Sequence, residues 1–207
     1  MLNDYFPNVD WEIMWEATRE TIYMTAVSTL LTFIIGLVLG ILLFLTSPTQ
    51  LWANKVVNLL TGSVVNIFRS IPFIILVILL IPFTNFLLGT IRGANAALPA
   101  LIIGAAPFYA RMVLIALREI DKGVIEAARS MGAKTWTIIY KVLIPESLPA
   151  LISGITVTAV ALVGYTAMAG FQRSRNDVTF VATVLVLVIV FIIQFIGDFI
   201  TSKTDKR

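Results

Sequence analysis

The chain has 207 residues, of which 58% are apolar and 13% are charged, and it contains no cysteine and no histidine. A soluble domain is typically about 45–50% apolar and about 25% charged, so this composition predicts a membrane protein. The missing residue types exclude the usual zinc ligands, thiol chemistry, disulfide bonds and a Ser-His-Asp triad. The net charge of +3 is typical of basic cytoplasmic loops, so we expect contact with membrane lipid and no nucleic-acid binding.

Apolar segments long enough to cross a bilayer occur five times, since a crossing takes roughly 20 apolar residues of helix. The predicted spans cover residues 21–45, 56–83, 96–117, 147–169 and 178–200. The second span contains Arg69 and Pro72 and is too long for one upright crossing, so we expect a long, tilted or kinked helix with an irregular end. The sequence thus predicts an all-α membrane protein with a single domain over residues 1–207.

The first span carries two further signals. Gly36 and Gly40 form a GxxxG pattern, which permits close helix approach and favours packing within one subunit. Trp11 and Trp15 precede the apolar run, a position typical of an interfacial helix whose indoles lie at headgroup level.

Charged residues indicate the orientation of the chain. Acidic residues dominate the first 20 positions, which is unlike the basic start of a secretory signal peptide, so the first helix is expected to remain in the mature protein. Five spans place the termini on opposite faces, and a cytoplasmic C-terminus puts nine basic residues inside and four outside. The inner residues are Lys55, Arg118, Lys122, Arg129, Lys134, Lys141, Lys203, Lys206 and Arg207. The outer residues are Arg19, Arg92, Arg173 and Arg175, so we expect the N-terminus outside.

The longest loop, residues 118–146, lies on the predicted cytoplasmic face. Asp121 is a predicted N-cap for a helix over residues 122–131, and Gly132 follows as its C-terminal glycine. An apolar stripe at offsets of zero, three, four and seven runs along this helix; it consists of Val124, Ala127, Ala128 and Met131.

A second short helix is predicted over residues 136–143, capped by Thr135 and stopped by Pro145. Periodicity alone leaves two interpretations of the pair of helices. They form either a loop lying in solvent or on lipid, or a docking surface for another protein.

The residues of this loop match a long, gapped motif. Glu126-Ala127-Ala128 is followed after three residues by Gly132, and after nine more by Val142-Leu143-Ile144-Pro145. This closely resembles the EAA signature of ABC-importer permeases, with Val142 and Ile144 as conservative departures from its final Ile-x-Leu-Pro. The resemblance implies the type I importer permease fold and a coupling helix that docks on a separate ATP-binding subunit.

By the same resemblance, the ATPase-coupling residues would be Glu126, Ala127, Ala128, Met131, Gly132, Ile144 and Pro145. Glu126 would make polar contacts, the two alanines would allow close approach, and Gly132 would make the turn. The sequence has no G-x-x-x-x-G-K-[ST] phosphate loop. We therefore expect no enzymatic activity and no cofactor in this chain, with ATP and Mg²⁺ bound by the partner ATPase.

Three further segments, Phe68–Phe73, Gly104–Arg111 and Gly164–Gly170, are similar to the methionine-uptake branch of these permeases. That similarity implies a homodimer in a bacterial plasma (inner) membrane, two ATP-binding cassette subunits and an extracytoplasmic substrate-binding protein or lipoprotein. The alternatives are another amino acid or small organic solute as substrate, a secondary transporter, or a structural membrane protein. A secondary transporter commonly has internal repeats and a coupling-ion site, and no repeat is visible here.

One departure from that branch concerns the segment before the last span. Gly170 runs directly into Phe171, where permeases of this branch usually have a glycine-rich segment. Either the connection is naturally short or residues are missing from this chain.

Candidate residues of a translocation path are Arg69, Pro72, Arg111, Tyr165 and Met168. An ionised side chain at bilayer depth costs about 2.5–3.5 kcal/mol on insertion scales, so the two arginines are expected to face protein or water, or else to reach an interface by snorkelling. Tyr165 and Met168 share a face of the fourth span. The soft side chain of Met168 would suit a thioether substrate, although plain helix packing explains it as well.

Overall fold

In the computed structural model, residues 9–170 and 176–205 are described, and all regular structure among them is helical. In chain order the helices are α1 Trp11–Thr46, α2 Lys55–Ser70, α3 Phe73–Leu88, α4 Ala94–Arg118, α5 Lys122–Ser130, α6 Thr135–Ile138, α7 Ile144–Gly170 and α8 Asn176–Thr204. A π-helical turn, Ile139–Leu143, joins α6 to α7. Four stretches are long and apolar enough to cross a membrane, and α2 with α3 supplies a fifth if the bent pair is one span. The all-α membrane architecture is confirmed.

Helix α1 has 36 residues and is therefore about 54 Å long, well beyond the roughly 30 Å of a bilayer core. Asp10 caps it by accepting hydrogen bonds from the N–H groups of Glu12 and Ile13 at 3.0 and 3.3 Å. Trp11 and Trp15 lie in the first turns of α1, so the predicted interfacial segment is continuous with the first span. No glycine or proline separates them from the apolar run, so nothing ends the helix between them.

The GxxxG pattern packs α1 against α4 within the chain, as predicted. A Cβ at Gly36 would lie 2.8 Å from the Tyr109 ring, and one at Gly40 would lie 2.7 Å from the carbonyl oxygen of Ala110. Only glycine fits at these two crossings without displacing the α4 backbone. Helix α1 makes its most extensive contact with α4 along this seam.

The second predicted span is broken rather than kinked. Helices α2 and α3 meet at 111° across a short break, so the prediction of one long helix is wrong. Pro72 lacks an N–H and disfavours helical backbone at Ile71, which has φ −84° and ψ 121°. Helix α3 then continues to Leu88 and ends at Gly89, with φ +69°, so the irregular end predicted after residue 83 is also absent.

Helix α4 lies at the centre of the main hydrophobic cluster. Tyr109 is fully buried, and its hydroxyl donates a 3.2 Å hydrogen bond to the Leu151 carbonyl oxygen of α7. The same cluster includes Ile125 of α5 and Leu143 of the π turn. The loop segment between the third and fourth spans is therefore anchored to the core that holds the spans together.

Candidate functional site

Helix α5 begins and ends where its sequence predicts. Asp121 caps it by accepting a 2.6 Å hydrogen bond from the Gly123 N–H. Gly132 follows with φ +78°, a left-handed conformation that glycine adopts without penalty. The Gly132 and Ala133 N–H groups donate to the carbonyl oxygens of Arg129 and Ala128. Both ends of α5 are thus fixed by hydrogen bonds, which makes it a rigid unit.

The faces of α5 differ from the predicted stripe. Ile125 and Ala128 are buried in the main cluster, whereas Val124 is 43% exposed and Met131 is 82% exposed. Ala127 is also exposed, so the apolar stripe is divided between the core and the surface. Ala128 packs inside the chain, and of the two predicted close-approach alanines only Ala127 is open to a partner.

The exposed face of α5 combines one acid with apolar groups. Glu126, Ala127, Met131 and Gly132 are all exposed, and we call these four residues the coupling face. The predicted coupling residues Glu126 and Met131 thus share a surface with Ala127 and the terminal turn. Met131, 82% exposed, is the large apolar side chain among them. These exposed residues are available to contact another protein, as the docking interpretation of this loop requires.

The segment after Gly132 differs from its prediction. Lys134, not Thr135, occupies the N-cap position and makes no side-chain capping bond, and α6 has only four residues. Pro145 does not stop the helix, because the π turn leads directly into α7 with a hydrogen bond from the Ile144 N–H to the Ile139 carbonyl oxygen. Pro145 is the second residue of α7, and proline is tolerated in the first turn of a helix.

Ile144 is half-buried and Pro145 is exposed at the start of α7. They lie at the foot of a long helix, whereas the coupling face lies on α5. These two predicted coupling residues therefore lie on a different element from the coupling face.

An aromatic contact links this segment to the connection between α1 and α2. The Trp52 and Trp136 rings meet edge to face with centroids 5.8 Å apart, and Tyr140 lies 6.3 Å from Trp136. All three side chains are substantially exposed. The coupling segment thus contacts a second loop as well as its own core.

A small cavity lies at the break between α2 and α3. Its volume is about 160 Å³, and α2, α3, α4 and α7 all contribute to its wall. Arg69 and Tyr165 both line it, so the structure brings together two of the predicted path residues. Pro72 lies at the break itself, where it occupies the N-cap position of α3.

The cavity also contains aromatic residues that were not predicted. Phe73 stacks on Tyr165 with ring centroids 4.2 Å apart and an interplanar angle of 10°. Phe68 and Phe108 line the same space. Their only sequence signal is their position inside the segments Phe68–Phe73 and Gly104–Arg111 that carry the family resemblance, since single phenylalanines in apolar spans are ordinary.

Arg111 lies elsewhere. It lines a separate cavity of about 230 Å³ together with Arg118, Asn58 and Asn66. It is seven residues, or about 10 Å, from the last residue of α4, which suits the snorkelling interpretation. Met168 belongs to α7, and its side chain is outside the described residues.

Comparison with known proteins identifies the class. Residues 34–176 match the family described as the inner membrane component of binding-protein-dependent transport systems. The match covers more than half of the chain, so this chain belongs to that family of bacterial inner-membrane transport proteins.

Individual relatives narrow the comparison to permeases named for methionine transport. The chain is 65% identical to the methionine import system permease protein MetP of Bacillus subtilis (strain 168), with each chain covered completely. It is 43% identical to the probable D-methionine transport system permease protein MetI of Haemophilus influenzae, over 95% of this chain and all of that protein. A solved structure of the MetNI methionine ABC transporter in inward-facing conformations matches with a TM-score of 0.91 and 42% identity, over 96% of this chain and 100% of that one.

The Bacillus subtilis alignment also bears on chain length. It spans 222 positions and this chain has 207 residues, so at least 15 positions have no counterpart here. The predicted short connection after Gly170 is one place for such a gap, but residues 171–175 lie outside the described part.

Proposed function

We propose that this chain is the membrane-spanning subunit of an ATP-driven methionine importer. The relative that shares 65% identity over the whole chain and is named for methionine import supports the substrate. The observation that carries the coupling role is the coupling face, an exposed acidic and apolar surface on a helix that is capped at both ends. A surface of this kind on an anchored helix suits a protein partner better than water.

The proposed assembly contains two copies of this chain, two ATP-binding cassette subunits and an extracytoplasmic substrate-binding protein. ATP and Mg²⁺ would be bound by the cassette subunits, because this sequence contains no phosphate loop. The excess of basic residues around one set of loops supports a cytoplasmic C-terminus and an outer N-terminus. Arg69 is exposed in the single chain, and a second copy facing it would enclose the path.

The proposed mechanism is alternating access without chemistry on the substrate. Closure of the ATP-bound cassettes would move the coupling face. Ile125 and Ala128 would transmit that motion, because they belong to one hydrophobic cluster with Leu117 of α4 and Leu143 of the π turn. Helices α4 and α7 also line the cavity at the α2–α3 break. A rigid-body rotation of these helices would open the path outward, and ATP hydrolysis would reset it inward.

The test is uptake of radiolabelled methionine into proteoliposomes that contain this chain with its copurified ATPase, with the binding protein present or omitted. We expect uptake only when ATP and binding protein are both supplied. Stimulated ATPase activity without methionine uptake would keep the importer and assign another substrate. Uptake driven by an ion gradient without ATP would instead identify a secondary transporter. Failure to copurify any ATPase would overturn the coupling role.

A further inference from the structure

The cavity at the α2–α3 break contains a free cation beside an aromatic pair. Arg69 lines it from the last turns of α2, and Phe73 and Tyr165 stack against each other on its wall. Among the described residues that line it, none is acidic. No hydrogen bond or ion pair of Arg69 is found in the described part of the chain. The guanidinium donors are therefore available to a ligand.

The position of Arg69 within the membrane-spanning region makes a guanidinium without a partner unfavourable. It lies 14 residues after the first residue of α2, which corresponds to about 21 Å of helix. Arg69 is also next to the last residue of α2, so it lies at the break with α3 and far from the loop that precedes α2. A charged side chain at that distance from the loop is costly in a bilayer unless it meets water or an anionic partner. Arg111 lies seven residues before the last residue of α4, half as far from the adjoining loop, so its long side chain can reach that loop. The guanidinium that needs an anion is therefore the one in the aromatic cavity.

We propose that this cavity binds the transported amino acid, with the Arg69 guanidinium on its α-carboxylate and the Phe73–Tyr165 pair against its thioether side chain. This inference rests on the proposed function and names the substrate contacts within it. Guanidinium groups bind carboxylates through two parallel hydrogen bonds, and sulfur makes favourable contacts with aromatic rings. The volume of about 160 Å³ is below the roughly 300–1,000 Å³ of drug-sized pockets, so the cavity fits one small solute.

The residues of the cavity also predict which group of the substrate is not recognised. Because no acidic side chain lines the described wall, nothing there pairs with the substrate ammonium group. Compounds that keep the carboxylate but block the amine should still bind. Compounds that keep the amine but block the carboxylate should not.

This selectivity is measured by equilibrium binding of radiolabelled methionine to the permease–ATPase complex in nanodiscs, with the binding protein omitted. We expect N-acetylmethionine to compete with methionine and methionine amide to fail. The reverse order of competition would overturn the assignment of Arg69 to the carboxylate. Absence of methionine binding by the unaltered complex at millimolar concentration would remove the site altogether. The proposed importer would remain, since its own uptake assay tests it separately.

Variants at Arg69 provide the second readout. Arg69→Gln should weaken methionine binding, and raise the KM for uptake, by at least about tenfold, because the bound carboxylate would lose its charged partner. Arg69→Lys should recover part of the loss, since lysine supplies the charge but not the paired geometry. The control is Lys203→Gln, which removes a positive charge in the last turn of α8, outside the cavity. Equal binding by Arg69→Gln and the unaltered complex would contradict the proposal.

Discussion

The coupling face and the cavity at the α2–α3 break are assembled in opposite ways. All four residues of the coupling face lie within residues 126–132, on one capped helix and its terminal turn. The cavity takes Arg69 from α2 and Phe73 from α3, on either side of the break, and Tyr165 from α7, which is distant from both in sequence. A surface that docks on a partner can be local, whereas a site between helices requires the whole bundle. Changes in the two regions should therefore produce different defects.

The largest effect should come from Gly132→Pro. Proline fixes φ near −65°, but Gly132 has φ +78° and its N–H donates to the Arg129 carbonyl oxygen. The terminal turn of the coupling face cannot form, and we expect ATP-driven uptake and binding-protein-stimulated ATPase activity both to fall by more than roughly tenfold. Membrane insertion should be unchanged.

Alanine substitutions at two glycines distinguish the effect of backbone strain from the effect of location in the coupling face. Gly89 also has a positive φ, of 69°, and also follows a helix, but it lies at the end of α3. Alanine at either position costs about 1–2 kcal/mol of backbone strain. Only Gly132→Ala should reduce coupling. Full ATP-driven uptake by Gly132→Pro would show that the coupling face is not the docking surface.

Glu126→Lys should reduce uptake by about tenfold. Reversing a charge in a docked interface either brings like charges together or leaves a charge without its partner. Copurification of the ATPase subunit should fall in parallel. Glu16→Lys, at an exposed acid in α1, is the matched charge reversal away from the loop and should leave both unchanged. Normal ATPase copurification with Glu126→Lys would argue against a contact at this residue.

Tyr165→Leu should lower methionine uptake by about fivefold, since a stacked aromatic pair contributes roughly 0.5–1.5 kcal/mol beyond its buried area. Stimulated ATPase activity should persist, because the coupling face is untouched. Tyr165→Phe keeps the ring and should behave like the unaltered protein. If Tyr165→Leu instead lost ATPase stimulation, the two regions would not be separable.

The smallest effect should come from Trp136→Ala. The edge-to-face contact with Trp52 is exposed, and its loss should reduce uptake by about twofold. Trp15→Ala is the control, because Trp15 is 66% exposed and lies far from the coupling segment in sequence. A tenfold loss with Trp136→Ala would assign Trp136 to the docking surface itself.

The two regions also differ in how far the sequence predicts them. Asp121 and Gly132 bound α5 through local hydrogen bonds and backbone preference, so its ends were predictable. Which of its residues face the core was not, since Ile125 is buried by packing against distant helices. At Pro145 local preference was misleading, because a π turn that no local rule indicates carries the helix onward.

The cavity was only partly predictable. Pro72 and Arg69 marked an interruption, but the 111° angle depends on how α2 and α3 each pack against α4. The stack of Phe73 on Tyr165 is a contact between distant segments, and periodicity carries no information about it. Arg69 and Arg111 looked alike in sequence, and only the packed helices separate them into two cavities.

The most direct test is to measure methionine uptake and ATP hydrolysis together in proteoliposomes that contain the complete transporter with Gly132→Pro or Arg69→Gln. We expect Gly132→Pro to lose both activities. We expect Arg69→Gln to keep the ATP hydrolysis stimulated by binding protein and to lose most uptake at low methionine concentration. Parallel loss of both activities in both variants would contradict the division between a coupling face and a separate substrate cavity.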